Sequence, residues 1–353
     1  MARWIVVAAA VVVLLGLGAL GARAYRDNVV VPAERAAVLA TMSGRIAVTW
    51  RREVWAVAAN SGARQRLTAL ASDRTATGAA WAPDGQRLAV TLQTFLPGRA
   101  MGSGGLHVLP ASGGELQLVL TDGAPGSLFD DASWTPAGEA LVYAYARHPQ
   151  QVGDGYVYRI ERVGADGRGR EVLVDDAQAP GLAPDGQTLA FVRRGTGGDA
   201  LLLGGAEPRT LVSAGQFASL GHPRFAPDGA TIAFVGALAS EATAGMPGLG
   251  GAAAGSSARG PAALLIELVT EFLVLPTAAA HGLPWDVWTI RPDGSDLRRL
   301  TEIGEDDAAI AWSPDGRWLA LQGMRGVYLV EQASRRLVRL TDGAEQGRID
   351  WGP

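Results

Sequence analysis

The chain has 353 residues, 48% of them apolar, with 47 glycines, no cysteine and a formal net charge of −4. All 31 of its basic residues are arginine. This composition excludes a disulfide framework, thiolate catalysis, cysteine-ligated zinc, a Schiff-base lysine and a Walker-type phosphate loop, and it offers no basic stripe for a nucleic acid.

Met-Ala-Arg precedes Trp4–Leu20, a nearly unbroken run of Ala, Val, Leu and Gly. A short basic start, an apolar run and the small-residue boundary Ala22-Arg23-Ala24 make the layout of a secretory signal. The run is long for a cleaved signal and just reaches the length of a membrane-spanning helix. Residues 1–25 therefore read as one N-terminal hydrophobic helix, a signal anchor or a signal peptide, with the anchor favoured. Either way the rest of the chain is placed outside the cytoplasm, periplasmic or extracellular, and secreted if Ala22-Arg23-Ala24 is cleaved. Residues 26–42 read as a linker.

From residue 43 onward one phrase recurs. "AWAPDGQRLAV" (80–90) returns as "SWTPAGEALVY" (133–143), "GLAPDGQTLAF" (181–191), "RFAPDGATIAF" (224–234) and "AWSPDGRWLAL" (311–321). An aromatic or large apolar anchor ends an extended segment: Trp81, Trp134, Leu182, Phe225 or Trp312. A Pro-Asp-Gly turn follows (Pro-Ala-Gly after Trp134), because Pro presets φ, Asp bonds to the local backbone and Gly accepts positive φ. A short apolar run then makes the second strand of a hairpin. After each phrase come a further strand, a polar turn and a fourth strand ending near Leu-Thr, as in "RQRLT" and "LVRLT". The half-phrase "IDWGP" (349–353) lacks its second strand, and "SGRIAVTW" (43–50) supplies it. With Trp351 of the half-phrase as the sixth, anchors are spaced 53, 48, 43, 87 and 39 residues apart, the period of four-stranded propeller blades with one insertion. The expectation is an all-β, six-bladed β-propeller over 43–353, closed by pairing of its N- and C-terminal strands.

The pattern W-x-P-D-G-x-x-[LI]-A-F followed by a D-G-x-x-x-R-x-L-T strand resembles the WD40-like Pro-Asp (PD40) repeat of TolB-type six-bladed propellers. The resemblance implies the fold over nearly the whole chain past residue 43. It does not imply one function, because such repeats serve binding scaffolds, peptidase caps and lyases. The TolB-type α/β domain that precedes the propeller has no counterpart in the short stretch between the hydrophobic run and the first blade strand.

No nucleophile elbow, H-E-x-x-H or EF-hand loop is present. The histidines are scattered: His107 in a predicted strand, His148 in a loop, His222 before a proline and His281 in the insertion. No catalytic residue and no cofactor are assigned. Two candidate binding surfaces stand out. The loops leading into each aromatic strand carry Asp73, Asp130-Asp131, Asp175-Asp176, Glu305-Asp306-Asp307 and Glu345. By resemblance to other propellers these loops share one face and ring the tunnel mouth. Converging acids there would focus negative potential on a cationic peptide segment or, weakly, on a calcium ion. The second candidate is the insertion 236–284, an Ala/Gly/Ser-rich linker followed by an apolar helix over 261–276. That helix presents Leu265, Leu268 and Phe272 to a membrane surface, a partner or the propeller itself.

The sequence thus predicts a membrane-tethered, extracytoplasmic propeller scaffold that binds a protein or peptide and has no chemistry of its own. The alternative is a propeller hydrolase or lyase acting on polysaccharide or peptide from its central tunnel.

Overall fold

The computed structural model describes residues 31–97, 101–147, 157–195, 197–205, 207–244, 283–306, 308–343 and 347–353. Twenty-four strands fall into six four-stranded antiparallel sheets arranged as blades around a central channel. Blade 1 comprises β1 (Arg45–Trp50), β2 (Glu53–Ala58), β3 (Arg64–Arg66) and, from the far end of the chain, β24 (Asp350–Gly352). Blade 2 is β4 (Arg74–Trp81), β5 (Arg87–Phe95), β6 (Met101–Pro110) and β7 (Gln117–Leu120). Blade 3 is β8 (Ser127–Trp134), β9 (Ala140–Arg147), β10 (Val157–Gly164) and β11 (Glu171–Asp175). Blade 4 follows with β12 (Gln178–Leu182), β13 (Leu189–Gly195), β14 (Gly198–Leu203) and β15 (Arg209–Val212). Blade 5 has β16 (Phe217–Phe225), β17 (Ile232–Leu238), β18 (Asp286–Ile290) and β19 (Arg298–Arg299). Blade 6 has β20 (Ala309–Trp312), β21 (Trp318–Gly323), β22 (Gly326–Glu331) and β23 (Leu337–Asp342).

The ring closes as the split phrase requires. Ile46 pairs with Trp351 and Arg45 with Gly352. The Trp351 indole donates to the Ser43 carbonyl at 2.9 Å.

Apolar side chains collect where neighbouring blades face each other. The cluster between blades 1 and 2 joins Ala47, Val54 and Leu67 to Trp81, Leu88 and Val90. Equivalent clusters fill the other five interfaces, so the core is a ring of sheet-on-sheet contacts. Anchor indoles add stitches between blades: Trp134 Nε1 donates to Ala80 O at 3.2 Å, and Trp312 Nε1 to Arg224 O at 2.9 Å. The Pro-Asp-Gly turns stack around one face. Gly85 lies so close to Pro353 that a Cβ there would meet its Cγ at 2.7 Å.

Two segments differ from expectation. Within 26–42, read as a linker, Val31–Leu39 form helix α1. Val38, Leu39 and Met42 bury themselves against the interface of blades 6 and 1, and Arg35 Nη2 donates to Leu340 O at 2.9 Å. In blade 5, β17 continues through Leu238 into a short helix α2 (Ala239–Ala244), so regular structure extends beyond residue 236. The N-terminal run, the cleavage site and the 261–276 helix with Leu265, Leu268 and Phe272 lie outside the described residues. No helix among the described residues is long and apolar enough to cross a membrane.

Candidate functional site

The channel is walled by the innermost strand of each blade: β24, β4, β8, β12, β16 and β20. Counting three residues back from each anchor gives Gly78, Asp131, Ala179, His222, Ala309 and Arg348. One residue back gives Ala80, Ser133, Gly181, Arg224, Ala311 and Asp350. Most are small, as a crowded axis demands; the exceptions are ionisable.

Local geometry aims these exceptions inward. Strands β4, β8, β12 and β16 each carry a bulge at this level, where the register to the next strand slips. A bulge bends the strand and redirects a side chain. At the bulges, Asp131 (φ 48°) and His222 (φ 50°) occupy the left-handed region. Non-glycine residues seldom adopt it, and a residue before proline, as His222 is, still less.

The charged residues meet across the axis. Asp131 of blade 3 is 2% exposed. Its Oδ1 lies 3.0 Å from His222 Nδ1 and accepts from Arg224 Nη2 at 2.9 Å, both from blade 5. Arg348 of blade 1 places Nε 3.4 Å from the same oxygen and donates through Nη2 to Asp130 Oδ2 at 2.7 Å. Arg224 Nη1 also donates to the carbonyls of Pro180 and Pro223 at 3.0 and 3.1 Å. Alternate blades 1, 3 and 5 are thereby braced through one carboxylate. Burial works to raise the Asp131 carboxyl, but His222, Arg348 and Arg224 outweigh it and hold it well below the usual range. Burial and the adjacent Asp131 charge push Asp130 up against the pull of Arg348.

On the Pro-Asp-Gly side of this layer the channel widens into a cavity of about 310 Å³. Trp81, Trp134, Trp312 and Trp351 stand in its wall, with Arg224, Arg348 and Asp350 toward its base.

The opposite face carries the loops singled out for their acids. Asp175 pairs with Arg159 at 3.1 Å and Asp176 with Arg193 at 3.9 Å. Glu305 is buried, pairs with Arg325 at 2.9 Å and exchanges backbone hydrogen bonds with Trp285, where the insertion returns to β18. Asp306 follows it, half-buried, and Asp73 is exposed before β4. Asp307, Glu345, His148 and His281 lie outside the described residues. Arginine thus offsets the acids from Asp130 to Glu305, and Asp130 and Asp131 sit inside the channel wall rather than on a loop. Among the described residues, no group of three or more His, Asp or Glu is placed to hold a metal ion. The same face exposes Phe95 and Leu96 at the end of β5 and Met324 between β21 and β22.

Sequence reasoning did not single out His222, Arg224, Arg348 or Asp350. The signal available was their constant offset from the anchors, which places them at the level of Asp131.

No known family model matches the chain, and no curated protein matches its sequence. Solved structures do match its fold. TolB from Acinetobacter baumannii superposes with a TM-score of 0.58 at 15% identity, covering 88% of this chain and 67% of that one. A putative TolB from Agrobacterium tumefaciens gives 0.51 at 15% identity, over 74% and 78%. A chain of a nidogen/laminin complex gives 0.57 at 10% identity, over 88% and 99%. Likeness at these identities is likeness of fold: the chain is a six-bladed β-propeller similar in structure to TolB.

Proposed function

We propose that this propeller is a non-catalytic binding module that docks a protein or peptide partner on its loop face. The observation that supports this is the grouping of exposed Phe95, Leu96 and Met324 with the insertion stem and the arginine-paired acids on one face. Exposed apolar residues rimmed by charge are the surface chemistry of a protein contact. In this reading the apolar run 4–20 tethers the propeller to a membrane, outside the cytoplasm, and the insertion 245–282 extends the contact surface.

The test is photo-crosslinking in native membranes from residue analogues placed at Leu96 and Met324, with Leu118 and Leu337 on the outer strands as controls. The expected result is one partner captured from the first pair and not from the second. Capture at neither loop position overturns the proposal. A hydrolase or lyase in the tunnel is favoured by one contact, the Asp131–His222 pair, since a carboxylate that fixes an imidazole is a catalytic device elsewhere. Turnover of a glycan or peptide that disappears in His222→Gln would replace the binding reading.

A further inference from the structure

The cavity on the Pro-Asp-Gly side has an imbalance of charge that the rest of the channel lacks. Three ionisable side chains border it: Arg224, Arg348 and Asp350. Arg224 is answered by Asp131 at 2.9 Å, and Arg348 by Asp130 at 2.7 Å. Asp350 accepts the backbone N–H of Trp81 at 2.7 Å and forms no ion pair among the described residues. A half-buried carboxylate without a direct ion pair is costly, and a cation brought beside it recovers that cost. Burial pushes the Asp350 carboxyl up, with the Trp81 N–H and the more distant Arg224 offsetting only part of the rise.

The walls favour the same sign of ligand. An indole face attracts a cation through its quadrupole. Two of the four indoles already do so: the Arg45 guanidinium lies 4.5 Å from the Trp81 ring centre, and Arg87 lies 4.7 Å from that of Trp134. Trp312 and Trp351 hold no cation among the described residues. A bare metal ion is a poor match, because calcium or magnesium demands six or more oxygens and the cavity offers one side-chain carboxylate. The space, about 310 Å³, equals roughly ten water molecules. It takes a head group and a few more atoms, not a folded segment.

We infer that this cavity is a binding site for a compact organic cation, an alkylammonium or guanidinium head group, with Asp350 as its counter-ion and the Trp312 and Trp351 indoles as its walls. The head group belongs either to a free small molecule or to a cationic side chain of a peptide. The site lies on the face opposite the loop surface, so its failure and that of the loop-face reading are seen separately.

The experiment titrates the full chain with propylammonium, methylguanidinium and an acetyl-Gly-Lys-Gly-amide peptide, read by tryptophan fluorescence and calorimetry. Butan-1-ol serves as an uncharged analogue, and sodium chloride holds ionic strength constant. The expected result is saturable binding of the cations, weakened at least tenfold in Asp350→Asn and severalfold in Trp312→Phe. Asp350→Asn keeps an acceptor for the Trp81 N–H and nearly the same volume, and circular dichroism checks its fold. Tighter binding of the peptide than of the free amines assigns the site to a side chain, and the reverse assigns it to a small molecule. The inference is overturned if no cation binds saturably, if butan-1-ol binds as tightly as propylammonium, or if folded Asp350→Asn binds undiminished. Should that variant not fold, the wild-type preference for propylammonium over butan-1-ol decides.

Discussion

Asp131 shows how much can depend on one side chain placed at an axis. Its carboxylate is shared by His222, Arg224 and Arg348, which come from blades that do not touch one another in the ring. Removing one partner of a buried ionic cluster leaves the others uncompensated, at a cost of roughly 3–5 kcal/mol. Asp131→Asn is therefore expected to lower the unfolding free energy, read by urea titration at neutral pH, by an amount in that range. Because the folded Asp131 titrates below the ordinary value of 3.8, its contribution is complete above that value and disappears as pH falls through the lower folded one. The gap between wild type and variant should narrow once pH falls below about 4. A gap that instead narrows as pH rises would mean the carboxylate is not held by these partners. The sequence did not reveal this arrangement. The doublet Asp130-Asp131 reads as turn-forming acids, and nothing in one sequence couples residue 131 to residues 91 positions away.

At the level of the strand, the Pro-Asp-Gly phrase specified nearly everything. Pro, Asp and Gly fix the turn whatever surrounds it, so the inner hairpins were legible in place and register. The outer strands are shorter and the linker helix is less legible: β3 has three residues and β19 two, and α1 buries its last turn and Met42 just beyond. Such elements are held by what they pack against more than by their own composition. Gly352 tests the packing argument. A Cβ there would lie 2.3 Å from Trp81 Cγ, inside the contact that joins blade 1 to blade 2. Gly352→Ala should cost about 1–3 kcal/mol, the range for overpacking a filled core, visible as a fall in thermal midpoint. Gly205→Ala offers the control for loss of a glycine without crowding, since that site has neither a positive φ nor an atom within 4 Å.

For the whole molecule, ring closure was readable because the two halves of one phrase stand near residues 43 and 350, and Ile46 does meet Trp351. Deleting 349–353 should open the edge of β1, broaden the unfolding transition and promote self-association, checked by calorimetry and light scattering. An unchanged, monomeric transition would mean that blade 1 holds without its fourth strand. Function was less legible than fold, since a propeller supplies one frame for many uses and the side chains that differ are few.

Blade 1 also sets a timetable. Ser43 waits for Trp351, its partner 308 positions later. At roughly 5–20 residues per second of translation, that wait is roughly 15 to 60 s. Throughout it β1 holds an unpaired edge while later blades emerge and stack. Two nascent chains on one messenger could then exchange β24, each completing the other's first sheet. The interval between the first and last strands sets how long that exchange stays open.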